Sequence, residues 1–311
     1  MTVPTNNGYL QVSEIDTIYW ETTGSPTGVP VLFLHGGPGA GLSSGYKKHF
    51  DPSIHYIIAM DQRGCGRSTP IACENLENLH QNTRDTLIED IEKLRKFLKV
   101  DSMMLVGISF GTFLAISYAQ QYPQRVINMV LGAITSLSKS DITWITKDLS
   151  KIFPIKWKSF YNSVSIINKQ SLVESYYDAI THEDINVRHQ TAKAWCKWED
   201  THVSIVPDTE PHLSLKDPEF QLNFTTLVIH YWVNYGFNIN DSFFERIENI
   251  SHIPAVLIHG RMDISSPLDS VYRIHENWKE SQLIIIENEG HGGPSMISKI
   301  NESIRHFSRE L

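Results

Sequence analysis

Six short apolar runs do most to limit what this chain can fold into. They are Val29–Leu34 (VPVLFL), Tyr56–Met60 (YIIAM), Met103–Val106 (MMLV), Val126–Leu131 (VINMVL), Ala255–Ile258 (AVLI) and Gln282–Ile286 (QLIII). Runs of this length without polar alternation read as strands buried on both faces. Between them lie segments with apolar residues at helical spacing, such as Leu87, Ile91, Leu94 and Leu98 within 82–98, and a second helix from about Gly111 to Tyr122, stopped by Pro123. Met296 to Phe307 reads as a closing helix. Two further strands, Gly8–Ser13 and Thr17–Thr22, form a meander at the start. Strands alternating with helices predict a mostly parallel, doubly wound α/β sheet with helices on both faces. The pattern changes from about Ser136 to Glu248, where Trp, Tyr, Lys and His mix at helical spacing. The expected organisation is a core of residues 1–135 and 249–311, with 136–248 inserted as a helical cap.

In such sheets ligands bind beyond the carboxyl ends of the strands. The residues at those ends are therefore the ones to inspect. Met103–Val106 runs into Gly107-Ile108-Ser109-Phe110-Gly111 and then a helix. This is the G-x-S-x-G pattern in a strand–turn–helix setting, where a serine is held on a strained bend with its hydroxyl projecting from the sheet. The glycines leave space that a side chain would take from the neighbouring strand and helix. A serine hydroxyl is a weak nucleophile and needs a base, and the base needs an orienting acid. In this arrangement the acid and then the histidine follow the serine in the chain. Asp263 stands just past AVLIHG, and His291 just past QLIII in Glu289-Gly290-His291-Gly292. Taken singly, Asp263 could be a turn residue and His291 a loop histidine. Together with Ser109 they supply nucleophile, acid and base in the required order.

Acyl transfer also needs N–H donors aimed at the developing oxyanion. His35-Gly36-Gly37-Pro38-Gly39 follows a central strand without bulky side chains, so the N–H groups of Gly37 and Phe110 are the expected donors. A phosphate loop is excluded on spacing, because neither this stretch nor Gly64-Cys65-Gly66 completes G-x-G-x-x-G. No H-E-x-x-H or C-x-x-C is present, and the chemistry proposed for Ser109 calls for no cofactor and no metal.

Composition narrows the setting. The formal charge is −8 and no basic run could neutralise phosphates, which argues against nucleic acid as partner. No apolar stretch reaches the roughly 18 residues of a membrane span, and the N-terminus lacks a basic region followed by an apolar one. Three cysteines, Cys65, Cys73 and Cys196, indicate a reducing, cytoplasmic compartment with no disulfide framework. Cys65 lies near the expected site and reads either as a structural thiol or as one whose modification would block the site. Arg63 and Arg67 are expected to tie down the loop after YIIAM. Lys93, Arg95, Lys96 and Lys99 are expected on a solvated helix face.

HGGPGAG at 35–41, DQRGCGRS at 61–68, GISFGTFLAISYAQQYP at 107–123, HGRMD at 259–263 and AKAWCKWE at 192–199 resemble the proline iminopeptidase family. These are α/β-hydrolase serine peptidases that release an N-terminal residue, often proline. The resemblance covers nearly the whole chain and implies the triad Ser109, Asp263 and His291. It implies that Glu199, in Trp195-Cys196-Lys197-Trp198-Glu199, meets the substrate's α-ammonium. Gly36, Trp198, His230 and Tyr231 are the further substrate-side candidates, with Trp198 and Trp195 also reading as core. The family's second glutamate falls two residues before the His230-Tyr231 pair, where this chain has Val228. Gly132-Ala133-Ile134-Thr135 stands where proline-preferring members carry Arg-Gly-Ile-Phe, and Ile145 follows Trp144 where a pocket aromatic is usual. Losing one of two carboxylates around a buried ammonium costs on the order of 2–5 kcal/mol if nothing replaces it; Asp200 and Glu183 are the candidates for replacing it.

These features admit three readings. The first is a serine hydrolase cutting an amide next to a small N-terminal residue of a small molecule or short peptide. The second is an esterase or specialised amidase acting on a substrate without a free α-amine, such as a secondary-metabolite intermediate. The third is a hydrolase-fold binding protein without turnover, against which the complete triad argues.

Overall fold

The apolar runs pair side by side because their backbone groups, buried on both faces, have only neighbouring strands as partners. The computed structural model describes residues 6–43, 45–165, 171–205, 213, 215–238 and 242–309. Residues 1–5, on which the reading of the N-terminus partly rests, and parts of the expected 136–248 insertion lie outside this set. The strands are β1 (Asn6–Gln11), β2 (Thr17–Gly24), β3 (Val29–Leu34), β4 (His55–Met60), β5 (Met103–Ile108), β6 (Val126–Gly132), β7 (Ala255–Gly260) and β8 (Ser281–Ile286). They form one sheet in the order β1-β2-β4-β3-β5-β6-β7-β8. β1–β2 and β2–β4 pair antiparallel, and all the other pairs are parallel.

Register aligns the strand ends. Leu34 lies opposite Gly107, Ile108 opposite Gly132, and Gly132 opposite Ile258. The carboxyl ends of β3, β5, β6 and β7 are therefore level, and the loops that leave them emerge along one edge. Successive side chains on a strand face opposite sides. Leu32, Leu34, Met103, Leu105 and Leu257 enter one core, while Val31, Phe33, Met104, Val106 and Val256 enter the other.

Helix α1 (Arg84–Phe97) starts two residues later than the spacing suggests. Thr83 accepts a hydrogen bond from the Thr86 N–H, and the Thr86 hydroxyl accepts one from the Thr83 N–H. This reciprocal cap fixes the first turn. Helix α2 (Phe110–Gln121) follows β5 directly. Between β6 and β7 lie α3 (Lys139–Thr146), α4 (Pro154–Tyr161), α5 (Leu172–Ile180), α6 (Ile185–Val203), α7 (Pro218–Val233) and the short α8 (Ser242–Glu245). Their aromatics pack on one another and continue the core on one face of the sheet: Phe160 stacks on Tyr176 and Trp198, and Trp195 meets Tyr176 and Trp232 edge-on. Helices α9 (Leu268–Glu276) and α10 (Pro294–Arg309) complete the order. The sequence reading assigns no helix at α9, although Leu268, Val271 and Ile274 carry its three-residue spacing.

One expected surface is corrected. Lys93, Lys96 and Lys99 are exposed or partly so, but Arg95 is buried, held by both Glu92 carboxylate oxygens and the Val100 carbonyl. Tyr118 of α2 donates to the same Glu92. Arg95 ties the end of α1 to the segment leading into β5, and the Glu92 it holds is the link to α2, so it is not a solvated charge. Among the described residues no helix is long and apolar enough to cross a membrane.

Candidate active site

Ser109 sits between the last residue of β5 and the first of α2, with φ 55° and ψ −124°. That is a positive φ on a residue other than glycine, which persists only where surrounding structure enforces it. The Ser109 N–H donates to the Gly132 carbonyl at 3.0 Å, and the Ser109 carbonyl accepts from the Thr112 N–H and hydroxyl. The flanking glycines are required by space. A Cβ on Gly107 would lie 2.5 Å from the Gly111 carbonyl oxygen, and one on Gly111 would collide with the Leu34 carbonyl.

Elsewhere on this edge, two loops meet the serine. His291 Nε2 is 2.9 Å from Ser109 Oγ, and His291 Nδ1 is 2.8 Å from Asp263 Oδ2. Asp263 is buried, and its Oδ1 accepts from the N–H groups of Ser265 and Ser266 at 3.0 and 3.1 Å. Burial alone would raise its pKa, but the His291 imidazole, the hydrogen bond to it, His259 and the Ser266 N–H outweigh burial, so the carboxyl lies below its ordinary range. For His291 burial works downward, while Asp263 and then Glu199 work upward, and the net result is a raised pKa. The Nδ1 proton therefore belongs toward Asp263, which leaves Nε2 to accept from the serine hydroxyl.

The glycine loop after β3 lies against this pair. A Cβ on Gly36 would stand 3.1 Å from the Ser109 Cβ, a tight contact that would push the loop or the serine aside by a few tenths of an ångström. Gly37 has φ 117°, reserved for glycine. The Phe110 N–H opens α2 and is one of the donors a helix start leaves without an internal partner. The loop is held from below. His35 donates from Nδ1 to the Gly36 carbonyl and accepts at Nε2 from the Gln62 N–H. Asp61 accepts from the N–H groups of Leu42 and Arg67 and from Arg67 Nε. Arg63 pairs with both oxygens of Asp90 and with Asp16. Both arginines thus hold the loop after β4, as expected. Cys65 is fully buried and its thiol donates to the Gln62 carbonyl; burial pushes its pKa up, the behaviour of a structural thiol.

Helix α6 brings Glu199 to the same place. Glu199 is half-buried and accepts from Trp195 Nε1 at 2.8 Å. Burial pushes its pKa up to about 7, with the Trp195 hydrogen bond and the His291 imidazole opposing the rise. Glu199 and His291 shift each other's protonation, so the carboxylate lies within electrostatic reach of the triad. The position of the second glutamate, Val228, is wholly buried in α7. Of the two candidates for replacing it, Asp200 accepts from the Leu213 N–H and lines a separate cavity of about 550 Å³ between α4 and α6, while Glu183 is exposed before α6. His230 Nε2 donates to the Asn82 carbonyl and the Tyr231 hydroxyl to the Asn82 side chain. The Tyr231 ring lies edge-on to Phe110 at 5.1 Å. Trp198 is buried between Phe160 and His202, and Ile145 is buried in α3.

Sequence reasoning missed a ring of supporting residues. His259 accepts at Nδ1 from the Ile134 N–H and donates from Nε2 to the Ser266 carbonyl, 3.6 Å from Asp263. It thereby locks Gly132–Thr135 to the loop of the catalytic-acid candidate. His202 of α6 pairs with Ser265 Oγ at 2.8 Å, and Trp144 of α3 donates to the Ile264 carbonyl. The only signal for His259 was its place in HGRMD, next to the candidate acid; nothing in the sequence pattern marked His202.

Comparison with known proteins gives the family. A family model described as alpha/beta hydrolase fold matches residues 29–294. A protein of Leptolyngbya boryana named probable proline iminopeptidase is 38% identical over 290 residues, 93% of this chain and 89% of its own length. The proline iminopeptidase of Arabidopsis thaliana is 37% identical over 291 residues, 93% of this chain and 75% of its own. One from Neisseria meningitidis is 37% identical over 313 residues, 99% of this chain and 98% of its own. Among solved structures, a bromoperoxidase of Bacillus anthracis superposes with a TM-score of 0.66 at 20% identity, covering 98% of this chain and 100% of its own. The chain therefore belongs to the α/β-hydrolase family, in its proline iminopeptidase group.

Proposed function

We propose that the chain is a serine aminopeptidase that releases an N-terminal residue, proline or another small one, from a short peptide or small amide. The observation that carries this reading is the continuous relay from Ser109 Oγ through His291 to Asp263, at 2.9 and 2.8 Å. His291 takes the hydroxyl proton as Ser109 attacks the carbonyl carbon, and Asp263 stabilises the imidazolium that forms. The N–H groups of Gly37 and Phe110 receive the oxyanion. His291 then protonates the leaving amine, the C–N bond breaks, and an acyl-enzyme remains. Water, deprotonated by His291, releases the acid and restores the serine.

Glu199 is assigned to the substrate's α-ammonium, with residues 136–248 acting as the cap that carries it over the core. The esterase or neutral-amide alternative is not favoured: the relatives at 37–38% identity are named as proline iminopeptidases, and a carboxylate with no lysine or arginine among its described partners lies within electrostatic reach of the triad. Three free, buried cysteines support a cytoplasmic enzyme.

The test is kcat/KM for proline 2-naphthylamide against its N-acetyl form, with alanine analogues alongside. The reading expects cleavage of the free amines and loss of that preference in Glu199→Gln. Equal or better cleavage of the acetylated compound would overturn it.

A further inference from the structure

Glu199 and His202 are three residues apart on α6 and so share one of its faces. Glu199 accepts from Trp195 Nε1 at 2.8 Å and lies within electrostatic reach of His291. His202, only 3% exposed, pairs through Nδ1 with Ser265 Oγ at 2.8 Å. Ser265 in turn donates its N–H to Asp263 Oδ1 at 3.0 Å. One turn of α6 is thus bonded to the loop that carries the catalytic acid, while the adjacent position on the same turn holds the carboxylate assigned to the substrate amine. His202 packs edge-on to Trp198, 5.7 Å between ring centroids, so its ring has a fixed seat in the helix.

This arrangement answers a geometric demand. In an aminopeptidase substrate, the α-nitrogen and the scissile carbonyl carbon are separated by two bonds. The distance from amine anchor to nucleophile is therefore set by the substrate, and an error of about 1 Å costs roughly 100-fold in rate. Glu199 and Ser109 reach the site from different parts of the chain, α6 and the β5–α2 bend. Their spacing depends on how α6 is seated on the core. With Val228 in place of a second carboxylate, no second anchor stands beside Glu199 among the described residues to share an error in placement.

We propose that His202 is a specificity-positioning residue: its bond to Ser265 holds α6 in register with the Asp263 loop, so that Glu199 stands at the distance from Ser109 that a free N-terminal residue requires. It touches neither substrate nor the reacting atoms. The inference rests on the aminopeptidase reading. It assigns to this chain a residue whose effect depends on whether the substrate carries an α-amine.

The experiment measures kcat and KM for proline 2-naphthylamide and for p-nitrophenyl acetate, which has no amine. The proteins compared are the full chain, His202→Phe, His202→Asn, Ser265→Ala and the His202→Phe/Ser265→Ala double variant. The expected result is a fall of about tenfold in the amide-to-ester ratio of kcat/KM for His202→Phe and for Ser265→Ala, carried mainly by KM for the amide. The double variant falls no further than either single one, because both remove one interaction. His202→Asn, which returns a polar atom near the position of Nδ1, recovers most of the ratio. Equal proportional losses on amide and ester, or single effects that add in the double variant, overturn the assignment. If His202→Phe does not fold, Ser265→Ala, a loss of one oxygen atom, decides by the same ratio. The two readings fail separately. A wild-type protein that cleaves the N-acetyl amide as well as the free amine removes the aminopeptidase reading. A wild-type protein that prefers the free amine, with variants that keep its ratio, removes only the role of His202.

Discussion

Ser109 and Glu199 are the residues whose single-atom chemistry is most exposed to test. Replacing Ser109 by Ala removes the nucleophile but leaves the bend. We expect kcat to fall by about a thousand- to a million-fold with an unchanged melting temperature; residual activity above a few per cent would deny it the nucleophile's role. Glu199 carries two opposite effects. As the amine anchor, its loss in Glu199→Gln lowers kcat/KM for free-amine substrates by about 30- to several-thousand-fold, the equivalent of roughly 2–5 kcal/mol. As a carboxyl whose pKa is pushed up to about 7 by burial, it also opposes folding at high pH. The ordinary value of 4.5 applies in the unfolded chain, so between pH 4.5 and 7 the folded state holds more protons and stability falls as pH rises. Glu199→Gln removes that penalty. Denaturant unfolding at pH 8 should show the variant more stable by roughly 1–3 kcal/mol, and at pH 4.5 the two proteins should match. A variant less stable at pH 8 would mean that the carboxylate has a partner the relay does not include.

Among the elements, legibility followed the range of the interactions. The strands were readable because burial on both faces leaves an unbroken apolar run, and the Ser109 bend because its glycines are forced by contacts with neighbouring backbone. Gly111 shows how strong that force is: a Cβ there meets the Leu34 carbonyl of β3, and backbone in a central strand cannot move aside. Gly111→Ala should therefore cost about 1–3 kcal/mol or more, read as a lowered denaturation midpoint, and should disable the site with it. The ends of elements were less readable, since α1 begins where the Thr83–Thr86 cap places it. Least readable were polar contacts between distant segments. Nothing local distinguishes Arg95, buried against Glu92, from the lysines around it, Lys93 and Lys96. Nothing local shows that His202 meets a residue 63 positions away. The candidate triad was legible because its order follows strand ends; its supporting ring was not, because tertiary packing alone creates it. Arg63 lies between these cases. Its loop was recognisable, but its buried two-pronged bond to Asp90 was not. Arg63→Ala, which leaves Asp90 buried without its partner, should cost about 3–5 kcal/mol of stability.

For the whole molecule, the site is an assembly of separately supplied charges: Asp263 after β7, His291 after β8, and Glu199 from the helical insertion. The three are linked through His291, whose protonation responds to both carboxylates, and this gives the assembly a pH signature that no single loop would produce. His291 must be neutral to accept the serine proton, and its pKa is raised. Activity on every substrate should therefore fall as pH drops through a value above the ordinary histidine 6.5. A free-amine substrate makes a second demand, because Glu199 must be ionised to hold the ammonium, and it takes up its proton near 7. The acid limb of log kcat/KM against pH should then approach a slope of two for proline 2-naphthylamide and a slope of one for p-nitrophenyl acetate. Because the groups interact, the two steps belong to the pair and not to either residue alone. Glu199→Gln provides the control within the same protein: its amide profile should return to a slope of one, with the remaining step shifted toward lower pH, since the anion that helps to hold the proton on His291 is gone. Equal slopes for amide and ester in the wild-type protein would mean that the insertion does not supply a charge the reaction uses, and that the α/β core acts alone.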